Sequence, residues 1–380
     1  MNSSIHTDAT LNVAIVGCGI IGINHARATA RHPELEIVAV VDSIAGSATA
    51  LAELIETELS AARPAEFSGL GGAFAATPID LVVICTPSGL HVALAEIALA
   101  GGAHVVIEKP LDVSLPRARR IAELAADARK HGRVVSVISQ HRFDPASVVV
   151  AAAAHGGGFG RLTSAVASVA WWRSQEYYDS GQWRGTWDLD GGGAVMNQGV
   201  HTVDLLVWFL GRPVEIFAHT ALLAHERVEV EDVAVATVRF ESGALAVIHA
   251  TTAAAPGLSV RLQVHGSTGS AVIDDDQLEY FHAEGGADGN QAVSVVEADQ
   301  LRGGRKTADD FAAGHLRQYI DVVDAIQNGR EPGVRVEDAL LSLAVVRAIY
   351  ISATLGTPIT LDAVLGGEFD LLTVTTGGNS

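Results

Sequence analysis

The chain has 380 residues and a formal net charge of −19, with 44 acidic residues against 25 basic ones. That length predicts two domains. The charge argues against a surface for nucleic acid or an anionic membrane, because such surfaces depend on lysine and arginine contacts to phosphates. The two cysteines, Cys18 and Cys85, lie in or beside apolar strand-like runs, which indicates core residues of a reducing compartment and neither a disulfide nor a metal site.

The N-terminal decapeptide MNSSIHTDAT has no basic segment of the kind that begins a signal peptide. The apolar run behind it is the first predicted strand, and no membrane span of about 20 residues is evident. We therefore expect a cytoplasmic protein that binds no membrane, with residues 1–10 as a disordered tail.

The segment 11–22 (LNVAIVGCGIIG) joins an apolar strand to a helix through Gly17, Gly19 and Gly22. Their G-x-G-x-x-G spacing is typical of a dinucleotide-binding turn. The first glycine permits the tight turn, the second lets backbone approach a pyrophosphate, and the third lets the helix pack closely on the strand. The N–H groups at the start of the helix can then bind an anion.

The next apolar strand, 36–41, ends in Asp42, twenty residues beyond Gly22. A carboxylate at this point can accept hydrogen bonds from a ribose 2′-hydroxyl. It repels the 2′-phosphate of NADP, and residues 43–45 offer no arginine to bind that phosphate. NAD is therefore favoured over NADP, the alternative being an ordinary aspartate in a turn.

Apolar strands alternate with helices through residues 1–140, a pattern typical of a parallel sheet covered on both faces. The predicted elements after Asp42 are, in chain order, a helix to about Leu59, a looser segment 64–77 with one short strand, a strand 80–85, a helix 88–100, a strand 104–107, a helix 114–131 and a strand 134–139. Together with the first two strands they predict a doubly wound α/β Rossmann domain over residues 1–140.

Beyond Arg142 the pattern changes to runs rich in Val, Ala and Thr, with partial alternation and turn signals between them. The predicted elements are antiparallel strands at 163–172, 233–240, 244–250 and 259–265, a mobile loop at 284–304, and amphipathic helices at 312–328 and 336–355. We therefore expect a second domain, 141–380, of the α+β class, with an open sheet and helices on one face.

Lys109 follows directly on the apolar strand 104–107, in the sequence IEKP. Ligands of doubly wound proteins bind at the carboxyl ends of the strands, so this lysine is expected where the nicotinamide would lie. The alternative is a surface lysine in a loop. Glu108 beside it either binds the cofactor ribose or faces solvent.

A second polar pattern lies in the segment 191–210, GGGAVMNQGVHTVDLLVWFL. On a helix, Asn197, His201 and Asp204 are spaced i, i+4 and i+7 and share one face of an otherwise apolar segment. This stripe is either a solvated face or the lining of a site, and the residues alone leave the two interpretations equal.

The stretch 171–190, WWRSQEYYDSGQWRGTWDLD, holds four of the five tryptophans of the chain. Aromatic faces with interleaved Arg, Gln and Asp suit a polyhydroxylated ring, whose C–H faces stack on aromatic side chains while its hydroxyls bond to polar groups. The alternative is a packed subunit interface or core loop.

Together these patterns resemble the glucose-fructose oxidoreductase, inositol dehydrogenase and rhizopine catabolism (Gfo/Idh/MocA) family. The resemblance covers about residues 11–361. The motifs that carry it are GCGIIG with Asp42, CTPSGLH at 85–91, EKP at 108–110, WR at 183–184, GGGxxxxxGxHxxD at 191–204, GREPGVRVEDAL at 329–340 and LGTPITL at 355–361.

The resemblance implies a Rossmann domain joined to a domain with a large, mostly antiparallel open sheet, commonly a homodimer or homotetramer through that sheet. It implies NAD(P)-dependent oxidation or reduction of a sugar, a cyclitol or a related carbonyl compound.

The resemblance also implies roles for two residues: Lys109 would bond the reacting hydroxyl and His201 would take its proton. Many relatives carry aspartate where this chain has Asn197. The proton acceptor is therefore either His201 with a lowered pKa or Lys109, and a glycoside or sugar derivative is slightly favoured over free inositol.

The expected cofactor is NAD, the expected partner is a small sugar or cyclitol, and neither nucleic acid nor a metal is expected. The expected catalytic residues are Lys109, His201 and Asn197. The expected cofactor-binding residues are Gly17, Gly19, Ile20, Ile21, Gly22, Asp42, Thr86, Pro87, His91, Glu108, Lys109 and Arg184. The expected substrate contacts are Gln140, Arg142, Trp172, Tyr177, Trp183, Asp204 and His315.

Other functions remain open at this point. A redox-neutral NAD-dependent glycosidase would oxidise C3 transiently, acidify the neighbouring C–H and eliminate the glycosidic substituent. A non-catalytic NAD-sensing regulator could share the fold, although retention of Lys109 and His201 weighs against it. Reduction of a non-sugar carbonyl is a further alternative.

Overall fold

The structure is a computed structural model that describes residues 10–181, 184–188, 190–304 and 310–376. Residues 1–9 of the predicted disordered tail lie outside the described residues. The described chain divides into two compact units. The first comprises 10–112, 117–140 and 310–339, and the second comprises 113–116, 141–304 and 340–376.

The helices, in chain order, are α1 (Ile20–Thr29), α2 (Ser47–Thr57), α3 (Leu70–Ala76), α4 (His91–Ala100), α5 (Leu115–Lys130), α6 (Pro145–His155), α7 (Gln175–Asp179), α8 (Val200–Leu210), α9 (Asp310–Asn328), α10 (Val336–Leu355) and α11 (Leu361–Leu365). The strands are β1 (Leu11–Val16), β2 (Leu35–Val41), β3 (Ala65–Phe67), β4 (Leu81–Ile84), β5 (His104–Ile107), β6 (Val135–Val137), β7 (Leu162–Ala170), β8 (Pro213–Ala221), β9 (Val233–Phe240), β10 (Leu245–Thr251), β11 (Val260–Gly266), β12 (Ser270–Asp274), β13 (Gln277–His282) and β14 (Ile359–Thr360).

The first unit is built on a six-stranded sheet in the order β3-β2-β1-β4-β5-β6. All of its strand pairs are parallel. Strands β4 and β5 are buried along their whole length, as expected of a sheet covered on both faces. The predicted doubly wound Rossmann fold is therefore confirmed, and its switch point lies between β1 and β4.

Helix α9 belongs to the first unit, although the predicted boundary places it in the second domain. Its Tyr319, Val322 and Val323 are buried in the same apolar cluster as β1, β2 and α2. Gln318 of α9 also accepts a hydrogen bond from the Ser139 amide at 3.0 Å and donates one to the Val137 carbonyl at 2.8 Å. The predicted domains, 1–140 and 141–380, thus differ from the observed units in this returning segment, because no local pattern marks a helix's distant partner.

The second unit contains an eight-stranded sheet in the order β13-β12-β11-β7-β10-β9-β8-β14. Only the β7–β10 pair is parallel among its named strands. Helix α8 packs on β7 and β11, and α6 packs on β12 and β13. Along β9, buried Ala234, Ala236, Val238 and Phe240 alternate with exposed residues. One face is therefore core and the other is exposed, as the open, mostly antiparallel sheet predicts.

The sequence did not predict several elements of the described chain. Helix α6 was missed because its Val-Val-Val run favours a strand, although Asp144 followed by Pro145 is a helix-start signal. Strand β8, the β12–β13 hairpin and the short helix α3 were also missed. The predicted mobile loop at 284–304 contains two single-turn 3₁₀ helices and the buried residue Ala292.

Helix α10 is the one helix among the described residues that is long and apolar enough to cross a membrane. The prediction that no such run exists is corrected on this point. Most residues of its segment 343–351 are buried within the second unit, including Tyr350. A helix buried in this way is the core helix of its unit, and its composition follows from that burial.

Candidate active site

The glycine turn of the first unit meets the steric demands of its motif. Gly17 has a φ of +95°, and a Cβ there would lie 2.7 Å from the Cys85 carbonyl oxygen. A Cβ on Gly22 would lie 2.1 Å from the Gly17 carbonyl oxygen, whereas a Cβ on Gly19 would meet nothing within 4 Å. Two glycines are thus required by the protein's own packing, and Gly19 borders open space at the start of α1, where Ile20 and Ile21 are exposed.

Asp42 lies beside this turn and is oriented by backbone amides. Its Oδ2 accepts a hydrogen bond from the Cys18 N–H at 2.8 Å, and its Oδ1 accepts one from the Ile44 N–H at 2.8 Å. Each carboxylate oxygen has a second lone pair. The side chain therefore joins the glycine turn to the end of β2 and retains the capacity to accept further hydrogen bonds.

Polar groups without partners lie beyond the carboxyl ends of β4 and β6. Thr86 Oγ1 and Gln140 Oε1 are both buried and have no hydrogen-bond partner among the described residues. The half-buried Lys109 follows β5, which lies between these two strands. Buried polar atoms are costly to leave unpaired, so this edge of the sheet has the character of a ligand site.

Glu108 precedes Lys109 and is buried within the first unit. Its Oε1 lies 2.8 Å from His25 Nε2 and 3.6 Å from His315 Nε2. Its Oε2 accepts a hydrogen bond from the Lys109 N–H at 2.8 Å. The Tyr319 hydroxyl lies 2.6 Å from His25 Nδ1. Side chains from α1 and α9 therefore fix the backbone that carries Lys109.

The protonation states of this network are mutually consistent. Burial lowers the pKa of His25, so the ring is neutral and its two nitrogens differ in role. Burial alone would raise the pKa of Glu108, but hydrogen bonds from His25 and His315 outweigh it and hold that pKa well below its usual range. Burial also raises the pKa of Tyr319 well above its usual value. Tyr319 O–H therefore donates to His25 Nδ1, and His25 Nε2–H donates to the Glu108 carboxylate.

In the second unit, a triple glycine precedes the helix that carries His201. Gly191 has a φ of +75°, and a Cβ on Gly193 would lie 1.7 Å from the Glu231 carbonyl oxygen. The Glu231 side chain accepts hydrogen bonds from the amides of Gly193 at 2.8 Å and Val195 at 2.9 Å. Tyr350 O–H donates to the same carboxyl at 3.0 Å. Burial raises the pKa of Glu231 to about 7.

The residues after this glycine run form one π-helical turn, Ala194–Gly199, which leads into α8. Asn197 lies in the π-turn and His201 in α8, and both are half-buried. Asn197 Nδ2 donates to the Gly192 carbonyl oxygen at 2.9 Å. The predicted polar stripe is therefore partly accessible at Asn197 and His201.

The third residue of the stripe, Asp204, points into the core of the second unit. Its two oxygens accept hydrogen bonds from Arg142 Nε at 2.7 Å and from a terminal guanidinium nitrogen of Arg142 at 2.6 Å. Ser342 Oγ donates to Asp204 Oδ1 at 2.8 Å. Both charged residues are about 5 % exposed. This pair is a buried structural ion pair.

His141 forms a second charged cluster beside α8. Its Nδ1 lies 2.8 Å from Asp144 Oδ2 and 3.2 Å from Asp276 Oδ1. Its ring meets the ring of His201 edge to face, with centroids 5.0 Å apart. Burial alone would lower the pKa of His141, but the two carboxylates outweigh it and raise that pKa to about 10. His141 is therefore an imidazolium at neutral pH.

The aromatic stretch of the second unit is stacked with arginines. The guanidinium groups of Arg173 and Arg184 lie 4.9 and 4.2 Å from the centre of the Tyr177 ring. Trp172 is 38 % exposed, and Trp183 lies outside the described residues. Cation–π contacts with two arginines hold the Tyr177 ring in place.

Two family models match the chain. The first, described as an oxidoreductase family with an NAD-binding Rossmann fold, matches residues 11–139, and the GFO/IDH/MocA C-terminal domain matches 148–272. The structure of the WlbA dehydrogenase from Bordetella pertussis with NADH and UDP-GlcNAcA is similar, with a TM-score of 0.80 and 32 % identity over 93 % of this chain and 98 % of that one. The chain belongs to the Gfo/Idh/MocA family.

Curated relatives within the Gfo/Idh/MocA family include two sugar or cyclitol dehydrogenases. An inositol 2-dehydrogenase from Rhizobium meliloti is 26 % identical, over 89 % of this chain and 96 % of its own length. A D-glucoside 3-dehydrogenase from Escherichia coli is 26 % identical, over 94 % of this chain and 99 % of its own length. The predicted family membership and oxidoreductase class are confirmed.

The first unit is the NAD-binding Rossmann domain of the family. Its residues fit the cofactor, since Gly19 borders open space at the start of α1 and Thr86 Oγ1 lacks a partner among the described residues. Pro87 directly follows that threonine at the end of β4. When bound, NAD supplies the hydride acceptor, and the glycine turn and Asp42 would hold its pyrophosphate and ribose.

Some residues expected at the cofactor or the substrate are buried and have protein partners. His91 is fully buried, with its ring nitrogens 3.0 Å from the carbonyl oxygens of Leu111 and Thr86. Glu108 and His315, expected at cofactor and substrate, are buried against each other. Arg142 and Asp204, expected at substrate, neutralise each other in the core. The sequence shows that these residues are polar, but it does not show their partners.

Three functional candidates were missed, and each has at least one partner that is distant in sequence. Glu231 holds the glycine run from a loop before β9. His141 lies between Gln140 and Arg142, which were both singled out, and the spacing of Asp144 three residues later was its available signal. His25 lies within α1, three residues after the last glycine of the motif. No sequence signal predicted its contact with Glu108.

Replacing Asp42 by alanine tests the prediction that its carboxylate binds the cofactor ribose and favours NAD over NADP. The Kd for NAD should rise about tenfold or more, because a charge-assisted hydrogen bond contributes about 1.5–3 kcal/mol. The Kd for NADP should rise less, because the same change removes repulsion of the 2′-phosphate. Calorimetric titration measures both constants. Asp42→Asn, which keeps the contact with the Cys18 amide, separates charge from loop support, and equal losses for the two cofactors would contradict the assignment.

Proposed function

We propose that this Gfo/Idh/MocA protein is an NAD-dependent dehydrogenase that oxidises a secondary hydroxyl of a sugar, glycoside or cyclitol to a ketone. The main support is the arrangement at the carboxyl ends of β4, β5 and β6. Thr86 Oγ1 and Gln140 Oε1 lack partners there among the described residues, and Lys109 follows the strand between them. A polar ligand with several hydroxyls would satisfy such groups.

In this proposal Lys109 and His201 divide the proton chemistry. The Lys109 ammonium donates a hydrogen bond to the reacting hydroxyl oxygen and stabilises the negative charge that develops on it. His201, in its neutral form, accepts the hydroxyl proton. The network of Tyr319, His25 and Glu108 supports the Lys109 backbone, and Asn197 holds the turn that precedes His201 through the Gly192 carbonyl.

The nature of the substrate is proposed from the relatives. The WlbA structure that resembles this chain contains NADH and UDP-GlcNAcA, and the curated relatives act, by their names, on inositol and a glucoside. Asn197, where many family members carry aspartate, favours a glycoside or sugar derivative. Gln140, Trp172, Tyr177 and Trp183 remain the proposed substrate contacts, and Arg184 remains a proposed cofactor contact.

The experiment follows absorbance of NADH in the near ultraviolet with NAD⁺ and a panel of inositols, hexoses, hexuronates, glucosides and nucleotide-linked sugars. NADH accumulating on one class supports the dehydrogenase and identifies its substrate class. Cleaved glycoside without NADH would indicate the redox-neutral glycosidase. NAD binding by calorimetry with no reaction across the panel would indicate a regulator and would contradict the proposal.

We also propose that the protein is a cytoplasmic homodimer or homotetramer that associates through the exposed face of the eight-stranded sheet. That face carries the apolar residues Val166, Val235, Leu245 and Val247, each at least 36 % exposed. Apolar residues clustered on one face favour association with a second copy. Both cysteines are free thiols, as expected of a reducing compartment. Light scattering of the purified protein gives the oligomer mass, and a monomer would contradict this part of the proposal.

A further inference from the structure

His141 is held in the second unit by carboxylates from two separate parts of the chain. Asp144 lies three residues later at the start of α6, and Asp276 lies in the turn between β12 and β13. Their oxygens are 2.8 and 3.2 Å from the same ring nitrogen, Nδ1. Two carboxylates on one imidazole favour its charged form.

The turn that delivers Asp276 has an unusual backbone. Asp275 and Asp276 have φ values of +48° and +65°, a region that residues other than glycine rarely adopt. Asp275 anchors the turn on β11, because its N–H donates to the Val260 carbonyl and its side chain accepts from the Val260 N–H, both at 2.8 Å. The turn thereby places the Asp276 carboxylate at a position whose backbone conformation favours glycine.

The ring of His141 also contacts the ring of His201, with ring centroids 5.0 Å apart and planes inclined by 73°. Among the described residues, the other charged groups on α6, β7 and β11, which pack against α8, have partners of their own or lie near its other end. Arg142 is paired with Asp204, and Arg261 of β11 is paired with Asp274 and Glu279. Strand β7 has no titratable residue. His155 of α6 contacts the Trp208 carbonyl near the other end of α8, and His265 of β11 lies near Ser270.

We propose that His141 is a positioning residue that sets the protonation state and ring orientation of His201, so that His201 meets the substrate as a neutral proton acceptor. A fixed cation against the ring disfavours a second positive charge there. The edge-to-face contact also fixes the orientation of the His201 ring. An aspartate at position 197 would orient the ring and stabilise its imidazolium, whereas His141 orients the ring and, with the opposite charge, favours its neutral form. The inference rests on the proposed function, because it concerns His201 as the base.

The first test is a nuclear magnetic resonance titration of the histidine rings in the unsubstituted protein, with His201 assigned by loss of its signals in His201→Gln. We expect the ring of His141 to stay protonated through pH 8 and the ring of His201 to be neutral at pH 7. A neutral His141 at pH 7, or a protonated His201, would overturn the inference. This measurement requires no turnover.

The second test compares pH profiles of kcat/KM. In His141→Gln the acidic limb should move up by about one pH unit, because the cation in contact with the His201 ring is then gone. His141→Arg restores the charge and should return the limb toward its original position, whereas a merely structural role would give both variants the same profile. Asp276→Asn should leave the limb in place or move it down.

His155→Gln is the matched control, since it removes an exposed histidine that contacts the same helix, and its profile should be unchanged. An acidic limb that stays in place in His141→Gln would overturn the inference, provided that circular dichroism shows a folded protein. Failure of the proposed function is distinguishable, because it would appear as NAD binding with no reaction of the unsubstituted protein across the substrate panel, whereas full turnover in His201→Gln would show that His201 is not the base. The histidine titration decides the inference in either case.

Discussion

Replacing Lys109 by methionine should lower kcat/KM by at least about 10²- to 10³-fold, the loss typical of removing one donor to a developing oxyanion. Methionine keeps most of the apolar stem and removes the charge. The hydrogen bond from the residue 109 amide to Glu108 is a backbone contact and survives the substitution. The loss should therefore fall on the chemical step, and the Kd for NAD, measured by calorimetry, should change by less than about threefold.

Lys130→Met is the matched control for Lys109→Met. The Lys130 side chain is 72 % exposed and pairs with Asp127 on the surface of α5. Its replacement should leave kcat/KM and NAD binding unchanged. Two results would contradict the role given to Lys109: turnover that persists in Lys109→Met, and loss of NAD binding that accounts for the whole decrease.

Replacing Asp204 by asparagine should lower the free energy of unfolding by about 3–5 kcal/mol, because it leaves the buried Arg142 guanidinium without its counter-charge. Arg142 is 5 % exposed and donates two hydrogen bonds to Asp204. Urea unfolding followed by circular dichroism measures the change. Removing both charges together, as Arg142→Met with Asp204→Leu, should recover much of the loss.

Two single substitutions are comparisons for the change in unfolding free energy of Asp204→Asn. Ser342→Ala removes only the hydroxyl that donates to Asp204 and should cost about 1 kcal/mol. Asp179→Asn breaks the exposed pair with Arg227 and should leave the unfolding transition nearly unchanged. If Asp204→Asn behaves like Asp179→Asn, the pair is not structural and the original expectation of a substrate contact regains its basis.

The fold of the first unit could be predicted because its signals are local. The glycine spacing, Asp42 at the end of β2 and the apolar strands β4 and β5 each follow from a few consecutive residues. The packing of α9 on the first unit could not be predicted. Its helical periodicity indicates that one face is buried, but it does not indicate which elements cover that face. The same limit applies to α6, where the strand propensity of valine opposes the helix that packing stabilises.

The site was predictable to a similar extent. Lys109 and His201 are singled out by position in a motif, and the structure leaves both half-buried. Arg142 and His315 have the same chemical character, yet each is enclosed by a carboxylate that lies at least 60 positions away in sequence. Whether a polar residue binds a ligand or supports the fold depends on such pairings, and Glu231 and His141 were missed for the same reason.

The return of α9 also bears on how the protein is made. During synthesis the first six strands emerge early, but Tyr319 and Val322 emerge only after the intervening segment 141–304 has been translated. Until then the surface of α1 that carries His25 has no cover, and Glu108 lacks one of its two imidazoles. The nascent Rossmann domain therefore leaves part of its apolar cluster uncovered until α9 has been translated, and exposed apolar surface of this kind is prone to aggregation.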